Sequence, residues 1–139
     1  MRISSDVGRL AAVREMVRSA AIAAGGSETF VSDLVQAVDE TATNVIVHGH
    51  AGNPGWLEVG VSLDDDRLIV TVEDDAPGFD PTMVPEPDLT IAPDHRRPGG
   101  MGVHLARLSV DEMTHRARPE GGNILTLIRR LDSRGKEDR

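Results

Sequence analysis

Leu10, Val13, Val17, Ala20 and Ala24 recur at a spacing that places them on one face of a helix running from Asp6 to about Ala24, and Gly25-Gly26 supplies its stop. Ser27 suits the N-cap of a second helix reaching about Val47. Glu28 sits in its first turn, where the helix dipole favours an acid, and Phe30, Leu34, Val38, Ala42 and Val45 form its apolar stripe. Glycines and Pro54 break the pattern between His48 and Gly55. Leu57, Val59, Val61 and Leu63 then alternate with Glu58, Gly60 and Ser62. Asp64-Asp65-Asp66 turns the chain into Leu68, Val70 and Val72, alternating with Ile69, Thr71 and Glu73. Alternation of this kind predicts two antiparallel strands.

From Asp74 to Gly102 periodicity lapses, and Pro77, Pro81, Pro85, Pro87, Pro93 and Pro98 fall in that stretch, which reads as a functional loop or lid. A short helix from Val103 to about Leu108 follows. The chain closes with a hairpin: Glu112 to Ala117, a turn at Pro119-Glu120-Gly121-Gly122, and Ile124 to Leu131. No repeat or linker interrupts this order, so residues 1–139 are expected to form a single domain with its core at about 6–131 and a polar tail at 133–139. The expected fold class is α+β: a two-layer α/β sandwich whose mostly antiparallel mixed sheet is covered on one face by about three helices.

Composition narrows the chemistry. The chain has no cysteine, which removes disulfides and thiolate metal or redox sites and favours a cytoplasmic protein. Its start carries no apolar stretch before Asp6, so no signal peptide is expected, and no apolar run approaches the ~20 residues of a membrane span. The formal charge is −8, unevenly placed: fifteen acids face only Arg67 between Ser19 and His95, while Met1–Arg18 sums to +2 and Arg96–Arg139 to +4. An acidic middle repels a phosphate backbone, and Phe30, Trp56 and Phe79 are too few to stack bases, so direct nucleic-acid binding is not expected.

Three local patterns could carry chemistry. Glu40 and Asn44 lie one helical turn apart beside the apolar stripe, offering a base and a hard oxygen ligand to one shared pocket; alternatively both sit at the water line of an amphipathic helix. Glu73-Asp74-Asp75-Ala76-Pro77-Gly78-Phe79-Asp80 leaves a strand, where a carboxylate can accept from an exocyclic amine and Gly78 lets backbone approach a flat ring; alone it is an acidic turn. Arg96-Arg97-Pro98-Gly99-Gly100-Met101-Gly102-Val103-His104-Leu105 opens a helix with successive backbone N–H groups, an anion site or simply a flexible loop. It is not a dinucleotide fingerprint, because no strand precedes it and Leu105 occupies the third-glycine position. Nor is it a P-loop, since the single lysine is Lys136 in the tail. His48-x-His50 reads as solvated loop.

The order of these patterns resembles the asparagine box and two glycine boxes of the GHKL ATPase superfamily with its Bergerat nucleotide fold. The runs that carry the resemblance are Asp39-Glu40-Thr41-Ala42-Thr43-Asn44, Gly78-Phe79-Asp80-Pro81, Gly99-Gly100-Met101-Gly102-Val103-His104-Leu105 and Gly122-Asn123-Ile124-Leu125-Thr126-Leu127, within about residues 6 to 131. The short form is similar to bacterial anti-sigma-factor serine kinases that partner STAS-domain antagonists.

The resemblance implies ATP and Mg2+ as cofactors. Asn44 would ligate the magnesium and Glu40 would be the general base toward a substrate serine. Asp74 would accept from the adenine amine, with Gly78 beneath the ring. Gly100, Met101, Gly102, Val103 and His104 would meet the phosphates through backbone N–H groups, and Thr126 would join the adenine network through water. The implied partners are a STAS-domain anti-sigma factor antagonist and an RNA polymerase sigma factor, with a homodimer possible.

Two positions depart from the pattern: Ala76 stands where the first glycine box usually begins, and only about Met1 to Ser5 remain for the opening strand. Those departures motivate a binding module that holds nucleotide and partner without transferring phosphate. A sensor-kinase catalytic domain fits less well, because no phosphoacceptor helix pair is present in 139 residues, and an interaction protein without nucleotide is the remaining reading.

Overall fold

The computed structural model describes residues 1–78 and 100–131. Its elements are β1 (Arg2–Ser4), α1 (Leu10–Ala23), α2 (Glu28–Asn44), β2 (Trp56–Asp64), β3 (Arg67–Asp74), α3 (Gly100–Ser109), β4 (Glu112–Ala117) and β5 (Asn123–Arg130). The strands form one sheet in the order β1-β2-β3-β5-β4. All four pairings among the described residues are antiparallel, which bears out the expected mostly antiparallel sheet. Hairpins β2–β3 and β4–β5 account for two of these pairings, since short turns can join only antiparallel neighbours.

Asp65 occupies the left-handed region at φ 58° in the two-residue turn that closes Asp64 against Arg67. Aspartate tolerates that conformation through local hydrogen bonding. Along each central strand the period of two sends Leu57 and Val59, Leu68, Val70 and Val72, and Leu125 and Leu127 inward. They meet Leu10, Val13, Val17 and Ala21 of α1, Phe30, Leu34, Val38 and Ala42 of α2, and Ala106 of α3. Burying each large aliphatic contributes about 1.5–3 kcal/mol, and this aliphatic layer is what the near absence of aromatics requires.

Helix boundaries differ from the sequence reading in three places. Asp6 caps a 3-10 turn at Val7–Arg9, accepting from the Gly8 N–H at 2.9 Å, and α1 proper begins at Leu10. Its fourth buried residue is Ala21, not Ala20. Ser27 does cap α2, accepting from the Phe30 N–H at 3.1 Å, but the helix passes after Asn44 into a π-helical turn, Val45–His50, that ends at Ala51 in the left-handed region. The third helix starts at Gly100, three residues before the expected Val103. The expected lid beyond Gly78, including Phe79-Asp80-Pro81, Arg96, Arg97 and Gly99, and the expected polar tail lie outside the described residues.

At one end of the sheet the Trp56 ring meets two guanidinium groups, Arg2 at 3.9 Å and Arg118 at 4.9 Å from its centroid. Arg118 also donates to Glu73 at 2.7 Å. These contacts tie β1 and the β4–β5 turn to the ends of β2 and β3, where the candidate site lies.

Candidate functional site

Asp74 ends β3 with the inward parity of Leu68, Val70 and Val72, and Asn123 begins β5 directly opposite it in register. Strand pairing therefore places two polar side chains on the core face at one end of the sheet. Across from them, α2 ends at Asn44 and the π-helical turn brings Gly49 close to Ala76. The pocket enclosed by these elements is lined by Thr41, Asn44, Val45, Gly49, Asp74, Ala76, Pro77, His115, Asn123 and Leu125. A mostly apolar concavity with a few convergent polar groups is the usual form of a small-molecule site. A π-helical insertion at its wall fits the frequent use of such turns at functional positions.

Asp74 is 2% exposed, and its two hydrogen bonds among the described residues fall on Oδ1, from the Ala76 N–H at 2.8 Å and the Asn123 side-chain amide at 3.0 Å. Burial pushes its carboxyl above the ordinary aspartate range, opposed by those two donors. Asn123 in turn accepts from the His115 ring at 2.8 Å. Thr41 is also buried, yet its hydroxyl donates within its own helix to the Ala37 and Val38 carbonyls at 2.9 and 3.1 Å.

The neighbouring Asp75 takes a structural part. Its Oδ1 accepts from the Trp56 N–H at 3.0 Å and meets His50 Nε2 at 2.7 Å, tying the π-helical turn to the end of β3. Partial burial pushes Asp75 up, but the Trp56 donor and the His50 ring outweigh it and hold the carboxyl below its usual range. His50 is 4% exposed, so the expectation of a solvated His48-x-His50 loop is corrected: His48 is exposed and His50 is packed. Its Nδ1 is buried without a hydrogen-bond partner among the described residues.

Of the residues singled out by sequence, Asn44 and Asp74 are brought together on the pocket. Glu40, half-buried one turn earlier, does not line it, so the expected shared pocket holds Asn44 alone of that pair. Gly78 is exposed, and a Cβ there would meet nothing within 4 Å. The backbone of Gly100, Met101, Gly102, Val103 and His104 forms the start of α3. Thr126 is misplaced by the sequence reading. It pairs with Thr71 and Thr114 and shares the parity of Ile124 and Ile128, on the sheet face away from the pocket.

Asn123, rather than Thr126, lines the pocket beside Asp74, and sequence reasoning missed it. The signal was available: Leu125 and Leu127 must point inward, so Asn123 does too. His115, paired with Leu125 across β4 and β5, could have been found the same way. Ala76, the departure from the glycine pattern, is 2% exposed, and its methyl fits because Gly49 has none: a Cβ on Gly49 would lie 3.0 Å from it.

Residues 3–129 match the family model described as a histidine kinase-like ATPase domain. The chain is 32% identical over 97 residues to the anti-sigma F factor of Heyndrickxia coagulans, covering 68% of this chain and 65% of that protein. It is 29% identical over 103 residues to the anti-sigma F factor of Bacillus velezensis (strain DSM 23117 / BGSC 10A6 / LMG 26770 / FZB42) and 28% identical over 103 residues to that of Bacillus subtilis (strain 168), with 73% of this chain and 70% of each relative covered. The chain thus spans about two thirds of the length of these relatives. With a family model spanning nearly its whole length and, among the described residues, an antiparallel sheet under three helices, the chain belongs to the histidine kinase-like ATPase domain family.

Proposed function

We propose that this chain binds ATP with magnesium and serves as a bacterial anti-sigma regulator, phosphorylating a serine of a STAS-domain antagonist and sequestering an RNA polymerase sigma factor. The observation that carries the nucleotide reading is the buried Asp74 carboxylate facing an apolar pocket beside Asn44. A buried acceptor is costly unless donors meet it, and an exocyclic ring amine supplies such a donor. The residue set also fits a phosphate-bound metal. Among the described residues no three His, Cys, Asp or Glu side chains converge on a metal site, so a divalent ion at Asn44 would take its other ligands from phosphate oxygens and water, as magnesium prefers.

In this reading Asp74 orients the adenine by accepting its amine, and Asn123 and the Ala76 N–H keep Oδ1 in place. Asn44 contributes an amide oxygen to the magnesium, which when bound offsets charge on the phosphates. The first backbone N–H groups of α3, at Gly100, Met101 and Gly102, have no acceptor within the helix and in this reading meet the phosphates. Glu40 removes the proton of the attacking serine hydroxyl. No helix among the described residues is long and apolar enough to cross a membrane, and action in the cytoplasm follows from the proposed partners.

Titration calorimetry with magnesium-ATP tests the nucleotide site, since absence of heat at millimolar ligand overturns it. Transfer is tested with radiolabelled ATP and a STAS-domain protein: labelled serine is expected with the native chain and none with Glu40→Gln. Ala76 in place of the first glycine of its box and the short opening strand motivate a second reading, a regulatory module that holds nucleotide and partner without phosphate transfer. Binding without labelled serine in the native chain selects that module.

A further inference from the structure

We infer that the second half of β2 is a docking edge for an extended segment of a partner protein, lying in line with β1 and carrying apolar side chains at alternate positions behind a basic residue. β1 pairs with β2 only as far as Val59, whose N–H and C=O both bond Met1 at 2.8 Å. The strand period of two turns the N–H and C=O of Val61 and Leu63 to the same edge, and among the described residues nothing pairs with them there. Such a row of unpaired backbone groups is a template for an added strand.

Leu63 has the inward parity of Leu57 and Val59, which are fully buried, yet it is 53% exposed. Cover fades where β1 ends, and beside Leu63 lies a groove lined by Ala20, Ala23, Ala24, Val61 and Leu68, with no charged side chain. An added strand sends the side chains opposite Val61 and Leu63 to the same face as theirs, so those side chains enter the groove and must be apolar. Continuing the antiparallel pairing of β1, the residues that precede them in the partner reach the Asp64-Asp65-Asp66 turn. Asp64 is paired with Arg67 at 2.8 Å and Asp65 stands exposed beyond it, so Lys or Arg is favoured there and an acid repelled. The edge is remote from the nucleotide pocket: Leu57 pairs with Asp74 at one end of β2, and Leu63 with Leu68 at the other.

The probe is the synthetic peptide acetyl-Lys-Lys-Thr-Val-Thr-Val-Thr-amide, titrated into the native chain and followed by NMR and amide hydrogen exchange. Chemical-shift changes confined to Val61–Leu63 and the Ala20–Ala24 end of α1 are expected, with slowed exchange of the Val61 and Leu63 amides. Methylating the two valine nitrogens of the peptide removes the donors that pair with the edge, and should weaken binding about tenfold or more. Leu63→Lys should do the same at unchanged melting temperature, because Leu63 is exposed. Asp65→Asn, which suits the left-handed turn, should remove most of the salt dependence of binding. No shift at millimolar peptide, or equal binding of the methylated peptide, overturns the inference. Self-association of the native chain that Leu63→Lys abolishes assigns the edge to a second copy and overturns it too. So does protection of the Val61 and Leu63 amides in the chain alone that is lost on deletion of residues 132–139, which assigns the edge to the chain's own end.

Discussion

Moving one methyl group across the pocket wall, from Ala76 to Gly49, separates a tolerated substitution from a damaging one. A Cβ on Gly49 would lie 3.0 Å from the Ala76 Cβ, well inside the ~3.5–4.0 Å of ordinary carbon contact. Overpacking of that kind costs about 1–3 kcal/mol. Against it, alanine is favoured over glycine by up to about 1 kcal/mol in a helical turn. Gly49 lies outside the left-handed region, so its backbone admits alanine. Gly49→Ala in the native background is therefore expected to destabilise by about 0–2 kcal/mol.

Ala76→Gly alone removes a buried methyl and frees the unfolded chain, at a cost of about 1–2 kcal/mol. In that second background the clash is gone, and adding Gly49→Ala should restore about 1 kcal/mol. Urea unfolding of the four proteins closes a double-mutant cycle with an expected coupling of about 1–3 kcal/mol. If Gly49→Ala has the same effect in both backgrounds, the two positions do not share space, and the Ala76 methyl does not fill a gap left by Gly49.

Three further expectations follow from the same end of the sheet. Asp75→Ala strands the Trp56 N–H and the His50 ring, lowering stability by about 1–2 kcal/mol after allowance for the 35% exposure of the Asp75 side chain, read as a melting shift of about 3–6 °C. Because Asp75 is held below its ordinary range, its contribution is present above the unfolded value of ~3.9 and lost as pH falls through the folded value; the native chain should outlast Asp75→Ala by more at pH 6 than at pH 3. Asp74 has the opposite sign: pushed up by burial, it favours folding most when protonated, so Asp74→Asn should gain on the native chain in chemical-denaturation stability as pH rises from 3 to 7. Gly122→Ala would set a Cβ against the Asp74 carbonyl oxygen at φ +111°, and a loss of at least about 3 kcal/mol in urea unfolding is expected; a loss under 1 kcal/mol would show that the turn yields freely.

The strands are legible in the sequence because their alternation is local and each turn is written in Asp or Gly. The end of α2 is not, since the π-helical turn depends on His50 reaching Asp75 twenty-five residues away. No feature of Val45-Ile46-Val47-His48-Gly49-His50 marks that contact in the sequence. Asn44 and Asp74 can be found by motif, being fixed by elements that carry their own periodicity. Thr126 stands out only by its proximity to a motif, while strand parity already excludes it and points to Asn123. The compensation between Ala76 and Gly49 becomes visible only once strand and helix end are brought into contact.

β3 is hydrogen-bonded on both sides, to β2 and β5, and Asp74 ends it. Amides on a doubly paired central strand exchange with solvent mainly through global opening, whereas a helix terminus opens locally at far lower cost. Amide exchange is therefore expected to be slowest at the wall carrying Asp74 and Asn123, and the π-helical turn beyond Asn44 is held to that wall through the single His50–Asp75 contact.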